Sequence, residues 1–309
     1  RRQRQMCIRD SGRILPMNGF VNICKPVGAT ASDIVVCVKR ILHEKAGHLG
    51  TLDPGAAGVL PVAVGQATRL FDFLTNKVKY YRAFFTFGKT TDTLDSYGVV
   101  TATSGVLPGK EQVEAAIKTF VGQIEQMPPA YSAISVGGVR AYKLARDGVE
   151  VNLATRPVTV YEYSLVRQES DDTFIFDIKC SGGTYIRSLV RDLAALLGTV
   201  GYMSGLIRLA SGCFGMSDSV TIDELRERGD SCLVDITYPL ADVPVVEFPS
   251  KQFDDIDFGR KVKLTVAAQG YFKVVCRGVL FGLGRNDNGI LKLDYYLKNA
   301  VNNPLYKFD

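Results

Sequence analysis

The run Gly47-His48-Leu49-Gly50-Thr51-Leu52-Asp53-Pro54-Gly55-Ala56-Ala57-Gly58-Val59-Leu60-Pro61-Val62-Ala63-Val64-Gly65 constrains its surroundings more tightly than any other stretch of the chain. Gly47, Gly50, Gly55 and Gly58 permit backbone angles and close approaches that a Cβ would block. Pro54 removes a backbone donor and restricts Asp53 to an extended or turn conformation. Val59 to Val64 then reads as a buried strand. The run therefore presents a stiff carboxylate in an open loop that feeds a strand. Asp, Pro and Gly each favour turns for their own reasons, so the loop by itself fits a structural turn as well as a catalytic one.

Composition sets wide bounds. The 309 residues, 46% hydrophobic and 22% charged, are ordinary for a globular protein with room for two domains. A net charge of +5 allows a polyanionic partner only through local clusters of Lys and Arg. The 7 Cys include no Cys-x-x-Cys pair, which points to reduced thiols and a cytoplasmic location. His43 and His48 lie at a spacing unlike that of a zinc site, so no metal is expected. No apolar run approaches the roughly 20 residues that span a bilayer, so no membrane association is expected. Arg1 to Pro16 is basic and aperiodic, whereas Met17-Asn18-Gly19-Phe20 begins a strand. Residues 1–16 are thus expected to be an unstructured leader or a product of upstream translation, with Met17 as the start.

Periodicity gives a coarse order of elements. Phe20 to Cys24 reads as a strand, followed by a helix from about Ser32 with Ile34, Val35, Val38, Ile41 and Leu42 on one face. A short helix over Ala67 to Leu74, a strand over Tyr80 to Phe87 and a helix over Glu111 to Val121, stopped by Gly122, come next. Met127 to Gly138 has no clean period, and Arg140 to Asp147 reads as a basic helix, so residues 124–152 are expected to be an inserted lid. Arg140, Lys143 and Arg146 form a row on that helix which could follow a phosphate backbone or simply be solvated. A strand over Thr173 to Lys179 precedes a helix from Thr184 to Leu197, with Arg187 and Arg191 opposite its apolar face. From about Pro244, short strands at Tyr271 to Cys276, Val279 to Leu283 and Ile290 to Leu297 suggest a small β-rich domain of roughly 60 residues.

Further motifs join the opening run in order: Lys25-Pro26, Lys79-Tyr80-Tyr81-Arg82, Gly88-Lys89-Thr90-Thr91-Asp92-Thr93-Leu94-Asp95, Cys180-Ser181-Gly182-Gly183-Thr184-Tyr185-Ile186-Arg187 and Leu206-Ile207-Arg208-Leu209. Together they resemble the TruB family of tRNA pseudouridine synthases over about Asn18 to Leu297. The resemblance implies an α+β fold: a central mixed, mostly antiparallel sheet flanked by helices over residues 17–242, and a PUA-like RNA-binding domain over 243–309. It also implies isomerisation of uridine to pseudouridine in the tRNA T-stem-loop, at position 55, without cofactor or metal.

The resemblance assigns roles residue by residue. Asp53 matches the essential carboxylate, as nucleophile or as base at the sugar 2′ position. Arg187 matches the guanidinium that keeps it ionised against desolvation. Tyr81 matches the ring that stacks on the flipped base; Tyr80 points to the opposite face of the strand, so one of the two is free for the pocket. His48 matches the residue that fills the vacated stack in the RNA. Leu206, Arg208 and Tyr185 match pocket-lining positions. Asp95 would hold an Arg or RNA, and Lys25 would contact backbone or phosphate.

The lid disfavours a guide-RNA-dependent, dyskerin-like synthase, and the set Asp53, Tyr81 and Arg187 disfavours a purely RNA-folding chaperone. A monomer without an obligate protein partner is expected. Because an ammonium cannot reproduce a bidentate fork, Arg187→Lys is predicted to lower turnover on unmodified tRNA; near-normal turnover would count against the pairing.

Overall fold

The computed structural model describes residues 17–298 except 76, 133, 137, 142, 143, 145, 146, 148–152 and 265–268. The expected leader, residues 1–16, and two members of the basic row, Lys143 and Arg146, lie outside the described residues. The chain opens with β1 (Gly19–Lys25), α1 (Ala31–Leu42), β2 (Ala46–His48) and β3 (Ala56–Val64). A 3₁₀ turn at Gly65–Leu70 runs into α2 (Phe71–Thr75), followed by β4 (Lys79–Phe87), β5 (Lys89–Thr91), β6 (Val100–Thr103) and α3 (Lys110–Ile117). Then come β7 (Gly122–Gln126), β8 (Ser135–Val136), β9 (Val139–Arg140), β10 (Arg156–Gln168), β11 (Thr173–Cys180), α4 (Ile186–Leu196), β12 (Gly201–Ser211), β13 (Phe214–Gly215) and α5 (Ile222–Arg228). The chain continues through β14 (Val245–Phe248), α6 (Phe253–Asp257), β15 (Tyr271–Cys276), β16 (Val279–Asp287) and β17 (Ile290–Tyr296).

The central sheet runs β1-β3-β12-β4-β11-β10-β7, with β2 paired to β3 and β13 to β12. Its pairings are antiparallel except for β3 with β12, so the sheet is mixed and mostly antiparallel as expected. The period-two alternation of β4 turns Tyr81, Ala83 and Phe85 into the core and leaves Tyr80, Arg82 and Phe84 half-buried on the other face. There the Arg82 guanidinium and the Tyr80 hydroxyl both donate to Asp177, at 2.8 and 3.1 Å. On the core face Ile34 and Val38 of α1, Val113 and Ile117 of α3, and Leu189 and Leu193 of α4 form one apolar cluster with the β4 residues.

α1 starts at Ala31, one residue ahead of Ser32, because Thr30 caps it: the Asp33 amide donates to Thr30 Oγ1 at 3.1 Å and the Thr30 amide to Asp33 Oδ2 at 2.9 Å. Other expectations need correction. The helix read over Glu111 to Val121 is α-helical only to Ile117 and continues as 3₁₀ to Phe120. Gly122 then starts β7 and does more than stop a helix; its φ of +109° is one a side chain would resist. Residues 124–126, assigned to the lid, are therefore an edge strand of the central sheet. Arg140, assigned to a helix, pairs with Ser135 in a two-stranded ribbon. The strands β10 and β12 had no counterpart in the sequence reading.

The C-terminal strands form a separate sheet, β14-β15-β16-β17, around its own core of Phe248, Ile256, Phe272, Val274 and Phe281. It docks on the N-terminal part through Leu283 and Leu297, which share a cluster with Leu70 and Leu74. Phe73 meets Tyr271 and Tyr295 edge-on, and Arg69 Nη1 donates to the Tyr296 carbonyl at 2.8 Å.

Gly58 sits where β3 meets β12. With φ at +104°, a Cβ there would stand 2.3 Å from the Arg208 carbonyl oxygen. Gly58→Ala is expected to cost at least about 2 kcal/mol, from backbone strain and the forced separation of the two strands. A denaturant melt of the variant with an unchanged midpoint would contradict this.

Candidate active site

Asp53 lies in the loop between β2 and β3, and its carbonyl accepts from the Ala56 amide at 3.0 Å, closing a turn over Pro54-Gly55. Its neighbour Pro54 is pinned from the β1–α1 turn, because the Pro54 carbonyl accepts from the Gly28 amide at 2.8 Å and from Lys25 Nζ at 3.3 Å. Lys25 Nζ donates also to the carbonyls of Pro26, at 2.9 Å, and Ala29, at 2.7 Å. It is fully buried. Of the two contacts left open for Lys25, backbone and phosphate, the structure has the first, and the three carbonyls occupy its three donors. Burial pushes its ammonium down to about 8, with the charge of Asp53 opposing.

The other end of the loop hangs on Arg208, which is also fully buried. Its Nε donates to the Val59 carbonyl at 2.7 Å, Nη1 to Thr51 and Nη2 to Gly50, both at 3.2 Å. Tyr81 is 6% exposed, and burial pushes its phenol up to about 12, with Arg208 opposing. Leu206, two residues earlier on β12, is buried beside Ala56.

Arg187, in the first turn of α4, reaches Asp53 with two nitrogens: Nε to Oδ2 at 2.9 Å and Nη2 to Oδ1 at 3.1 Å. Its remaining nitrogen, Nη1, donates to the Thr93 carbonyl at 3.0 Å and lies 3.8 Å from Asp95 Oδ2. The side chain is only 7% exposed, against 30% for Asp53. Arg187 and Arg191, read together opposite the apolar face of the helix, differ in burial: Arg187 is buried against its carboxylate partners, while Arg191 is half-exposed. Asp95 itself is held by Thr93 Oγ1, at 2.7 Å, and the Tyr97 amide, at 3.0 Å. Of the two partners left open for it, Arg187 is the one within reach.

His48 ends β2 rather than sitting free in the loop, paired with Val62. Its Nδ1 is buried and has no hydrogen-bond partner among the described residues. Burial first, and then the positive charge of Arg208, hold its pKa below the ordinary value. Tyr185, the residue before α4, is half-buried with the Arg156 guanidinium 4.7 Å above its ring.

Two residues that border the site were not legible beforehand. Tyr97, 61% exposed, lays its ring over Gly55, where a Cβ would come within 2.5 Å of it. Gln126, fully buried, grips the backbone of Tyr185. Neither stands in a local pattern that marks its partner, which comes from a distant segment.

Residues 39–186 match the family described as TruB family pseudouridylate synthase (N terminal domain). The chain is 38% identical over 288 residues to the tRNA pseudouridine synthase B of Bradyrhizobium diazoefficiens, covering 88% of this chain and 84% of that protein. It is 43% identical over 227 residues to the enzyme of the same name from Alkaliphilus oremlandii, covering 72% and 76% respectively. Among solved structures, a chain of a Cbf5-Nop10-Gar1 complex superposes with a TM-score of 0.67 at 25% identity, covering 89% of this chain and 83% of that one.

The buried His48 ring yields a pH prediction. Because folding disfavours its charged form, its contribution to stability is complete above the ordinary histidine value of about 6.5 and is lost as the pH falls from there through the folded value. The NMR titration of His48 should have its midpoint below that of a free histidine; a midpoint at or above it would refute the buried, uncharged state.

Proposed function

Because the chain belongs to the TruB family of pseudouridylate synthases, we propose that it isomerises uridine to pseudouridine in tRNA, at position 55 of the T loop. The observation that carries this reading is the carboxylate of Asp53 clasped by two nitrogens of a buried Arg187. In the reaction the bond from the sugar C1′ to N1 breaks, the base rotates, and C1′ joins C5; the C5 proton leaves and N1 gains one. No electrons are gained or lost overall, so no redox cofactor is called for.

Asp53 is the group to start this chemistry, as nucleophile or as base at the sugar 2′ position. Arg187 fixes both carboxylate oxygens, which limits the directions from which the sugar can be met. Tyr81 holds its proton at neutral pH, so it offers the flipped base a flat, uncharged platform. An uncharged His48 suits insertion into the stack, where a charge would have to be desolvated. Asp95 orients Arg187 from the side away from Asp53.

Around this centre we assign residues 17–242 to catalysis, the insertion within 124–152 to clamping RNA, and 243–309 to a PUA-like module that extends the RNA contact. The protein acts as a monomer in the cytoplasm, unaided by a guide RNA or protein partner. The likeness to the Cbf5 chain is one of fold, whereas the tRNA enzymes match at 38% identity and above over most of their length.

The test uses the purified protein alone with an unmodified tRNA transcript bearing tritium at uridine C5. Tritium release is expected from the wild type and abolished in Asp53→Asn, which should still bind tRNA. No release from the wild type, or equal release from the variant, would overturn the assignment.

A further inference from the structure

α4 carries Arg187 in its first turn but has no side-chain cap of its own: Tyr185 stands at the N-cap position with no side-chain hydrogen bond. The helix start is instead held from β7, far along the chain. Gln126 Oε1 accepts from the Tyr185 amide at 2.8 Å, and Gln126 Nε2 donates to the Tyr185 carbonyl at 3.1 Å. One neutral side chain, with no exposed surface, thus clasps both polar groups of a single backbone residue. The next residue continues the hold, since the Met127 carbonyl accepts from Ser188 Oγ at 2.8 Å and Arg191 Nη2 at 2.9 Å. Residues 185, 188 and 191 follow one another along one side of the helix. Arg187 leaves the same turn toward Asp53.

We propose that Gln126 is a positioning residue for the reaction, setting the rotation and axial placement of α4 so that Arg187 meets both oxygens of Asp53. This rests on the reading that the Asp53 and Arg187 pair carries the chemistry. A two-point clasp suits the task. A single hydrogen bond lets the helix swing about it, whereas donor and acceptor together on one residue fix an orientation, and a bidentate guanidinium tolerates little angular error. The same residues root the insertion, because Pro128-Pro129 follow Met127 directly.

The experiment measures single-turnover tritium release and tRNA affinity for Gln126→Met, which preserves length and removes both hydrogen bonds, in the wild-type and in the Arg187→Ala background. Displacement of the reacting groups is costly, so the release rate should fall between roughly tenfold and a hundredfold in the wild-type background with tRNA affinity within about twofold. In the Arg187→Ala background the same substitution should alter the rate by less than about twofold, because the group it positions is gone. An equal loss in both backgrounds, or none in either, would overturn the proposal. If the Met variant does not fold, Gln126→Glu, which keeps the acceptor for the Tyr185 amide, is compared in the same two backgrounds under the same criteria. Failure of the underlying reading shows separately, as tritium release by Asp53→Asn.

Discussion

The guanidinium of Arg208 is closed off from solvent, and the loop before β3 is built around it. Burying a guanidinium costs several kcal/mol. Three backbone carbonyls, from Gly50, Thr51 and Val59, return roughly 1.5–3 kcal/mol each as hydrogen bonds to a charged group, which is enough to offset that cost. The compensation works only if the loop adopts the shape that aims those carbonyls inward, so the charge selects the conformation. Gly58 belongs to the same constraint, because the backbones of β3 and β12 must close to a distance that excludes a Cβ. Tyr81 and His48 inherit their surroundings from this centre, since both feel the charge of Arg208.

Three cations thus surround a loop with one carboxylate, yet their donors are used differently. Lys25 and Arg208 direct theirs to backbone carbonyls and fix where the loop runs. Arg187 alone directs its fork at the carboxylate, while Asp95 and the Thr93 carbonyl take its remaining nitrogen. Asp53, at 30% exposure, is the most open member of the pair. The site therefore combines a frame saturated with hydrogen bonds and one carboxylate left partly open.

Local signals in the sequence revealed the parts of this arrangement that depend on neighbours. The Gly-rich run announced the loop and β3, the alternation of Tyr80 to Phe87 announced β4, and the spacing of Ile186, Leu189, Val190 and Leu193 announced α4. The parts that depend on distant segments were silent. An Arg in a strand looks the same whether it is solvated or buried, and what buries Arg208 comes from about 150 residues earlier in the chain. Arg187 lies opposite the apolar face of its helix, where spacing is silent about a partner, and the motif context alone pointed to Asp53. Gln126 lay within a stretch taken as lid, because a five-residue strand that opens on a glycine gives little room for a period to appear.

The parallel pairing of β3 with β12 has a consequence for how the molecule comes into being. A chain made from its N-terminus presents Asp53 early, but the guanidinium that aims it lies 134 residues later and the brace that shapes its loop later still. Until Gly201–Ser211 has slid in between β3 and β4, the loop has no scaffold and the central sheet is split in two. Closing so long a connection is entropically slow, so it falls late in folding. The Asp53 carboxylate thereby meets its guanidinium partner only once nearly the whole central sheet has been synthesised and closed.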